Sequence, residues 1–178
     1  MAASGLFSRF QTFFSKPTPA AAPVEAPKED APMALSEETI TIVKSTAPVM
    51  IEHGQAITDR MYDIMFTRYP DVKAMFANAP DNQSFKLSSA IAAYAQNIDK
   101  LDNLTGAVNG MVTAHVRTGV KAEHYPVVAE CLMEALHDVL GDAFTDDIKG
   151  AWTEAYMFLA NLLIDAESKM YAEQAAAS

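Results

Sequence analysis

A single cysteine, Cys131, occurs in 178 residues, so no internal disulfide staples the chain. A lone thiol fits a reducing compartment. Basic residues are also scarce: Lys and Arg total 13 against 23 Asp and Glu, a formal net charge of −10 at pH 7. That balance lacks the positive field that neutralises phosphates, which argues against nucleic acid as a partner. No apolar run approaches the roughly 20 residues that cross a bilayer, so a soluble domain is expected. Glycine is sparse at seven residues, and no Gly-rich nucleotide loop is present. Cys-x-x-Cys, His-Glu-x-x-His and a nucleophile elbow are missing too, which removes several common redox, zinc and serine-hydrolase sites.

Half of the residues are hydrophobic, and a domain of about 140 residues buries roughly two thirds of its unfolded surface, enough for one core. The prolines divide the chain. Five of the nine, Pro17, Pro19, Pro23, Pro27 and Pro32, fall within residues 1–33 among a run of alanines, the composition of an extended linker with no core of its own. Ahead of them, residues 1–16 place Leu6, Phe7, Phe10, Phe13 and Phe14 beside Arg9 and Lys16 with no acid, a short basic amphipathic segment. It has no continuous apolar h-region, so export is disfavoured and a cytoplasmic location is expected. Three readings stay open for this segment: a weak anchor at a membrane surface, an organelle presequence in a eukaryotic source, or a disordered tail. The charges of residues 1–33 cancel, so the acidity belongs to residues 34–178, the expected globular domain.

From Leu35 onward the apolar period is helical and no alternating strand pattern is sustained. Ser36 before Glu37 and Glu38 reads as an N-cap with acids in the first turn. The helix that follows, through Ile40, Val43 and Ala47, is expected to bend at Pro48 and stop by Gly54. A second helix carries Ile57, Met61, Ile64 and Met65 up to Tyr69 and Pro70. Further on, Pro126 suits a first helical turn, Val128, Leu132, Ala135, Leu136 and Val139 recur at three and four spacing, and Gly141 marks an end. Thr145 opens the last helix, with a stripe from Ile148 and Trp152 to Met170 wide enough for two neighbours. The expectation is an all-α domain of six to eight helices.

Acid pairs at helix starts, such as Asp146 and Asp147, are accounted for by the helix dipole. The four histidines differ in context. His53, His124 and His137 fall at surface positions, whereas His115 continues the series Val108, Met111 and Val112 and so faces inward. A lone inward histidine is commonly a satisfied core residue. Tyr62, Phe76 and Tyr125 also point to the interior, and with ten methionines they suggest an apolar cavity holding a few polar groups. One histidine without a second obvious ligand suits a non-covalent haem with an open sixth position.

Taken together, residues 35–173 closely resemble the single-domain bacterial haemoglobins and the globin domain of flavohaemoglobins. The resemblance is carried by Thr39-Ile40 through Pro48, Glu52-His53-Gly54, Tyr62 to Phe66, Gln96-Asn97-Ile98, His115, Gly119-Val120, His124-Tyr125-Pro126, Val139 to Asp142, Thr145 to Ile148 and Ala151-Trp152. It implies a globin fold around haem b. His115 matches the proximal histidine that ligates iron, and Tyr125 and Glu167 match a proximal hydrogen-bond network that makes the imidazole more electron-donating. Without the resemblance, Glu167 reads as a solvated charge flanking Leu159, Leu163 and Ala166. Tyr62 matches the tyrosine that donates to the bound gas, Phe76 the phenylalanine packed on the haem plane, and Gln83 and Leu87 the distal glutamine and leucine.

The stretch between Phe76 and Gln96 departs from the family by being about three residues shorter, and Ser84 stands where a proline is often found. Gln83 is placed by counting back from Gln96; a gap elsewhere brings Asn82 or Phe85 to that position. Two functions follow from the resemblance. One is reversible binding, storage or delivery of dioxygen at a five-coordinate haem, with carbon monoxide and nitric oxide as further ligands. The other is nitric oxide dioxygenation, for which an external reductase is expected because no flavin domain follows the globin. A haem-based sensor is a third class, although no output domain is recognised.

Overall fold

The computed structural model describes residues 34–177; the expectations for residues 1–33 lie outside the described residues. Six α-helices are formed: α1 (Glu37–Arg68), α2 (Pro70–Met75), α3 (Gln83–Gln96), α4 (Thr105–Thr118), α5 (His124–Leu140) and α6 (Asp146–Ala176). Short 3-10 turns at Leu101–Leu104 and Gly141–Ala143 precede α4 and α6. No strand occurs among the described residues. The expected caps are present, with Ser36 Oγ accepting from the Thr39 N–H and Thr145 Oγ1 from the Ile148 N–H.

The first helix departs from the sequence expectation. Residues 37–68 form one continuous helix of 32 residues that runs through Pro48 and does not stop at Gly54, where the residue type predicts an end. An interior proline costs a helix about 3 kcal/mol through its missing N–H and its ring. Burial on both sides outweighs that cost: Val43, Ala47 and Met50 around the proline, and Ile57, Met61, Ile64 and Met65 beyond it, are all core residues. Each large apolar side chain so buried contributes roughly 1.5–3 kcal/mol. Trp152 Nε1 also donates to Thr46 Oγ1 at 2.9 Å, pinning α6 to the turn that holds Pro48. Gly54 is a contact residue instead of a terminator, because a Cβ there would lie 2.5 Å from Ser88 Oγ of α3. The glycine lets two helices approach.

The long α1 packs against α3, α5 and α6 and forms the spine of the main core. Cys131, Leu132, Ala135 and Leu136 of α5 and Ala151, Trp152 and Ala155 of α6 complete that core. A second cluster joins Val112 and Val116 of α4 to Tyr125, Ala160 and Leu163. Tyr156 and Leu159 border both clusters, so α6 carries one continuous apolar face past two partners. The end of α4 is fixed by Gly119, whose φ of 77° is the left-handed conformation that a side chain would strain. The Val120 N–H there returns to the His115 carbonyl at 3.0 Å, which places His115 in the last turn of α4.

Candidate functional site

Side chains from two other helices meet at His115. Its Nδ1 lies 2.7 Å from Glu167 Oε1 of α6 and 3.1 Å from the Tyr125 hydroxyl of α5. Tyr125 itself donates to the same Glu167 oxygen at 2.6 Å. Glu167 is 2% exposed and Tyr125 6%, so the carboxylate is kept in the interior by the two donors that satisfy it. Burial first, and then the neighbouring carboxylate, push the Tyr125 phenol far above its ordinary range, so that it stays a donor. The network has its own supports. Tyr156 donates to the Tyr125 carbonyl at 2.9 Å, and Tyr171 donates to the Val120 carbonyl at 2.8 Å, tying the end of α4 to α6.

His115 is half-buried, with its side chain 30% exposed. Its protein partners among the described residues are all on Nδ1, which leaves Nε2 open. One ring nitrogen is therefore oriented by a carboxylate while the other is available, the arrangement that presents an imidazole to a metal. The remaining histidines show nothing comparable: His53 and His137 are exposed, and the Nδ1 of half-buried His124 accepts from the Lys121 N–H.

A separate cavity of about 330 Å³ opens between α1, the segment after α2 and the start of α3. Tyr62, Phe66 and Phe76 form its aromatic wall, with ring centroids 5.2–5.4 Å apart and the Tyr62 and Phe76 rings edge to face. Gln83 Nε2 donates to the Tyr62 hydroxyl at 3.4 Å. The Tyr62 proton then has no protein acceptor among the described residues and is free to donate into the cavity. Burial raises the Tyr62 phenol above its ordinary range against a smaller opposing pull from Gln83, which keeps the proton in place. Of the three positions left open by the short α2 to α3 connection, Gln83 lines this cavity; Asn82 and Phe85 are exposed. Leu87 lies one turn further along α3, half-buried against the main core, and is not part of the cavity wall.

This fold has counterparts among known proteins. A protein-family model described as Globin matches residues 59–163. The chain belongs to the globin family. A globin-like protein of Aquifex aeolicus, itself uncharacterised, is 48% identical over 139 residues, which are 78% of this chain and 99% of that one. Among solved structures, an engineered carbene transferase from Rhodothermus marinus, whose parent is provisionally named a nitric oxide dioxygenase, superposes with a TM-score of 0.78 at 43% identity. The match covers 80% of this globin and 99% of that chain. The flavohemoglobin of Malassezia yamatoensis, solved with bound FAD and heme, gives a TM-score of 0.68 at 31% identity over 78% of this chain and 38% of its own. The globin spans about a third of the bacterial flavohemoproteins it matches, 34% to 36% of their length.

Globin membership makes haem the cofactor and a diatomic gas the ligand. The residues present fit that group: an oriented imidazole with its second nitrogen unpartnered, and an aromatic-walled cavity with a tyrosine proton to spare. Sequence pattern does not single out Thr58, Asp59, Tyr156 or Tyr171. Only Tyr171 carries a usable signal, standing four residues after Glu167 on the same face of α6.

Proposed function

We propose that this globin binds dioxygen reversibly at a haem held by His115 and uses it to oxygenate nitric oxide, drawing electrons from a separate reductase. Haem, when bound, supplies the iron that takes the gas and exchanges electrons. The protein's own part is orientation and polarisation. Glu167 and Tyr125 fix the His115 ring from its Nδ1 side and raise the basicity of Nε2. Tyr62, held by Gln83, directs a proton toward the gas ligand, and Phe66 and Phe76 limit water around it.

The single observation that favours oxygenation over storage is the buried Glu167 carboxylate on His115 Nδ1. An electron-rich proximal imidazole assists activation of oxygen, a property that a carrier does not need. The experiment is aerobic nitric oxide consumption with NADH and a flavin reductase. Expected is nitrate formed over many turnovers, slowed on the order of ten-fold in Glu167→Gln with haem uptake retained. Consumption that stops near one equivalent per haem and ignores Glu167→Gln would return the protein to oxygen storage or delivery.

A further inference from the structure

The start of α3 carries Gln83 to the cavity, yet this helix end is poorly held by its own sequence. Asn82 occupies the N-cap without a side-chain hydrogen bond, no acid lies in the first turn, and no proline sets the first position. The Gln83 N–H turns back to the Pro80 carbonyl at 2.9 Å, but no side chain caps the N–H groups that follow, and such an end frays readily. What replaces the cap comes from another helix. Ser84 Oγ donates to Asp59 Oδ1 of α1, accepts from Gln55 Nε2 at 2.9 Å and lies 2.9 Å from Thr58 Oγ1. The Ser84 carbonyl stands 3.1 Å from the same Thr58 hydroxyl. Gln55 in turn donates to Asp59 at 2.9 Å, closing the group on α1.

We propose that Ser84 is a positioning residue for the distal side: its hydroxyl locks the first turn of α3 to α1 and thereby holds Gln83 at the Tyr62 hydroxyl. The inference rests on the reading of Tyr62 and Gln83 as the gas-side donors. Three features carry it. Ser84 directly follows Gln83, so its anchor sets the position of the whole first turn. The hydroxyl donates to Asp59 and accepts from Gln55, both on α1, and Thr58, whose hydroxyl lies beside it, is fully buried. The Gln83 to Tyr62 bond, at 3.4 Å, lies at the long end of useful geometry, so a shift of a few tenths of an ångström breaks it. Asp59 adds a negative charge beside an otherwise uncapped N-terminus, where the helix dipole favours it. Gly54 allows the contact by bringing α1 and α3 close at Ser88.

The test is the haem-loaded, carbon monoxide-bound protein followed by infrared spectroscopy, together with the oxygen dissociation rate, in Ser84→Ala, Ser84→Thr and Gln83→Ala. Ser84→Ala should split or broaden the carbon monoxide stretch and speed oxygen release about five-fold, the size of one net hydrogen bond. Ser84→Thr, which keeps the hydroxyl, should restore both. In a Gln83→Ala background, Ser84→Ala should add nothing, because the two changes act through one contact. An unchanged stretch and off-rate in Ser84→Ala, or an undiminished effect in the Gln83→Ala background, would overturn the proposal. If Ser84→Ala fails to fold, Asp59→Ala, which removes the acceptor of the Ser84 hydroxyl at the surface, should produce the split band; a single unshifted band there also overturns it. Tyr62→Phe separates the failures: if it leaves the stretch unmoved, the distal reading itself is wrong, whereas a shift there beside a silent Ser84→Ala refutes the positioning role alone.

Discussion

His115 and Tyr62 do different work, and their substitutions separate. Removing the imidazole in His115→Ala takes away the nitrogen that Glu167 and Tyr125 orient and leaves a buried carboxylate with one donor. Stoichiometric haem uptake should be lost, as read by the absorption spectrum after titration with haemin; full uptake with an unaltered spectrum would refute the ligand assignment. Tyr62→Phe keeps the ring packed on Phe66 and Phe76 and deletes only the donor. Oxygen should then leave faster by roughly 10- to 100-fold, in line with the 1.5–3 kcal/mol of a charge-assisted hydrogen bond. Stopped-flow measurement of the off-rate checks this, and an unchanged rate would mean that the hydroxyl does not reach the ligand.

At the scale of elements, the ends of the helices are more legible in the sequence than their middles. Ser36, Gly141 and Thr145 mark real boundaries because a cap is a local contact whose partners lie within four residues. Gly54 misleads as a stop for the opposite reason: what keeps α1 intact through Pro48 and Gly54 is its contacts with α6 and α3, more than 30 residues away. The site divides in the same way. The inward face of His115 follows from Val108, Met111 and Val112 on its own helix, but Glu167 arrives from 52 residues downstream and no periodicity announces it. Only the family resemblance points to it. Another such long-range contact joins α1 to α6, where Glu154 Oε1 accepts from the Ser36 N–H at 3.0 Å and Thr39 donates its hydroxyl to the same carboxylate. These bonds hold the Glu154 carboxyl below the usual carboxylate range. A depressed folded pKa stabilises the fold above the unfolded value near 4.3 and loses that contribution as pH falls through the folded value. The stability advantage of the parent over Glu154→Gln should therefore shrink in urea titrations taken from pH 6 down to pH 3. A difference that stays constant over that range would show that Glu154 does not exert its effect through its charge.

For the whole molecule, residues 34–177 hold both cores, the oriented histidine and the aromatic cavity. We expect a chain lacking residues 1–33 to keep the haem spectrum and the oxygen off-rate of the full chain. Loss of haem from that chain would show that the proline-rich region completes the fold. No helix among the described residues is long and apolar enough to cross a membrane. The contact between Glu167 and His115 also has a consequence in time. At a synthesis rate of about 5–20 residues per second, the 52 residues between them take roughly 3–10 s to emerge. Through that interval the nascent histidine has neither its carboxylate nor the α6 face that α4 packs against. Haem that arrives early meets a freely turning imidazole, and haem that arrives late meets a fixed one, so the grip on the cofactor is set by a helix made after the one that carries its ligand.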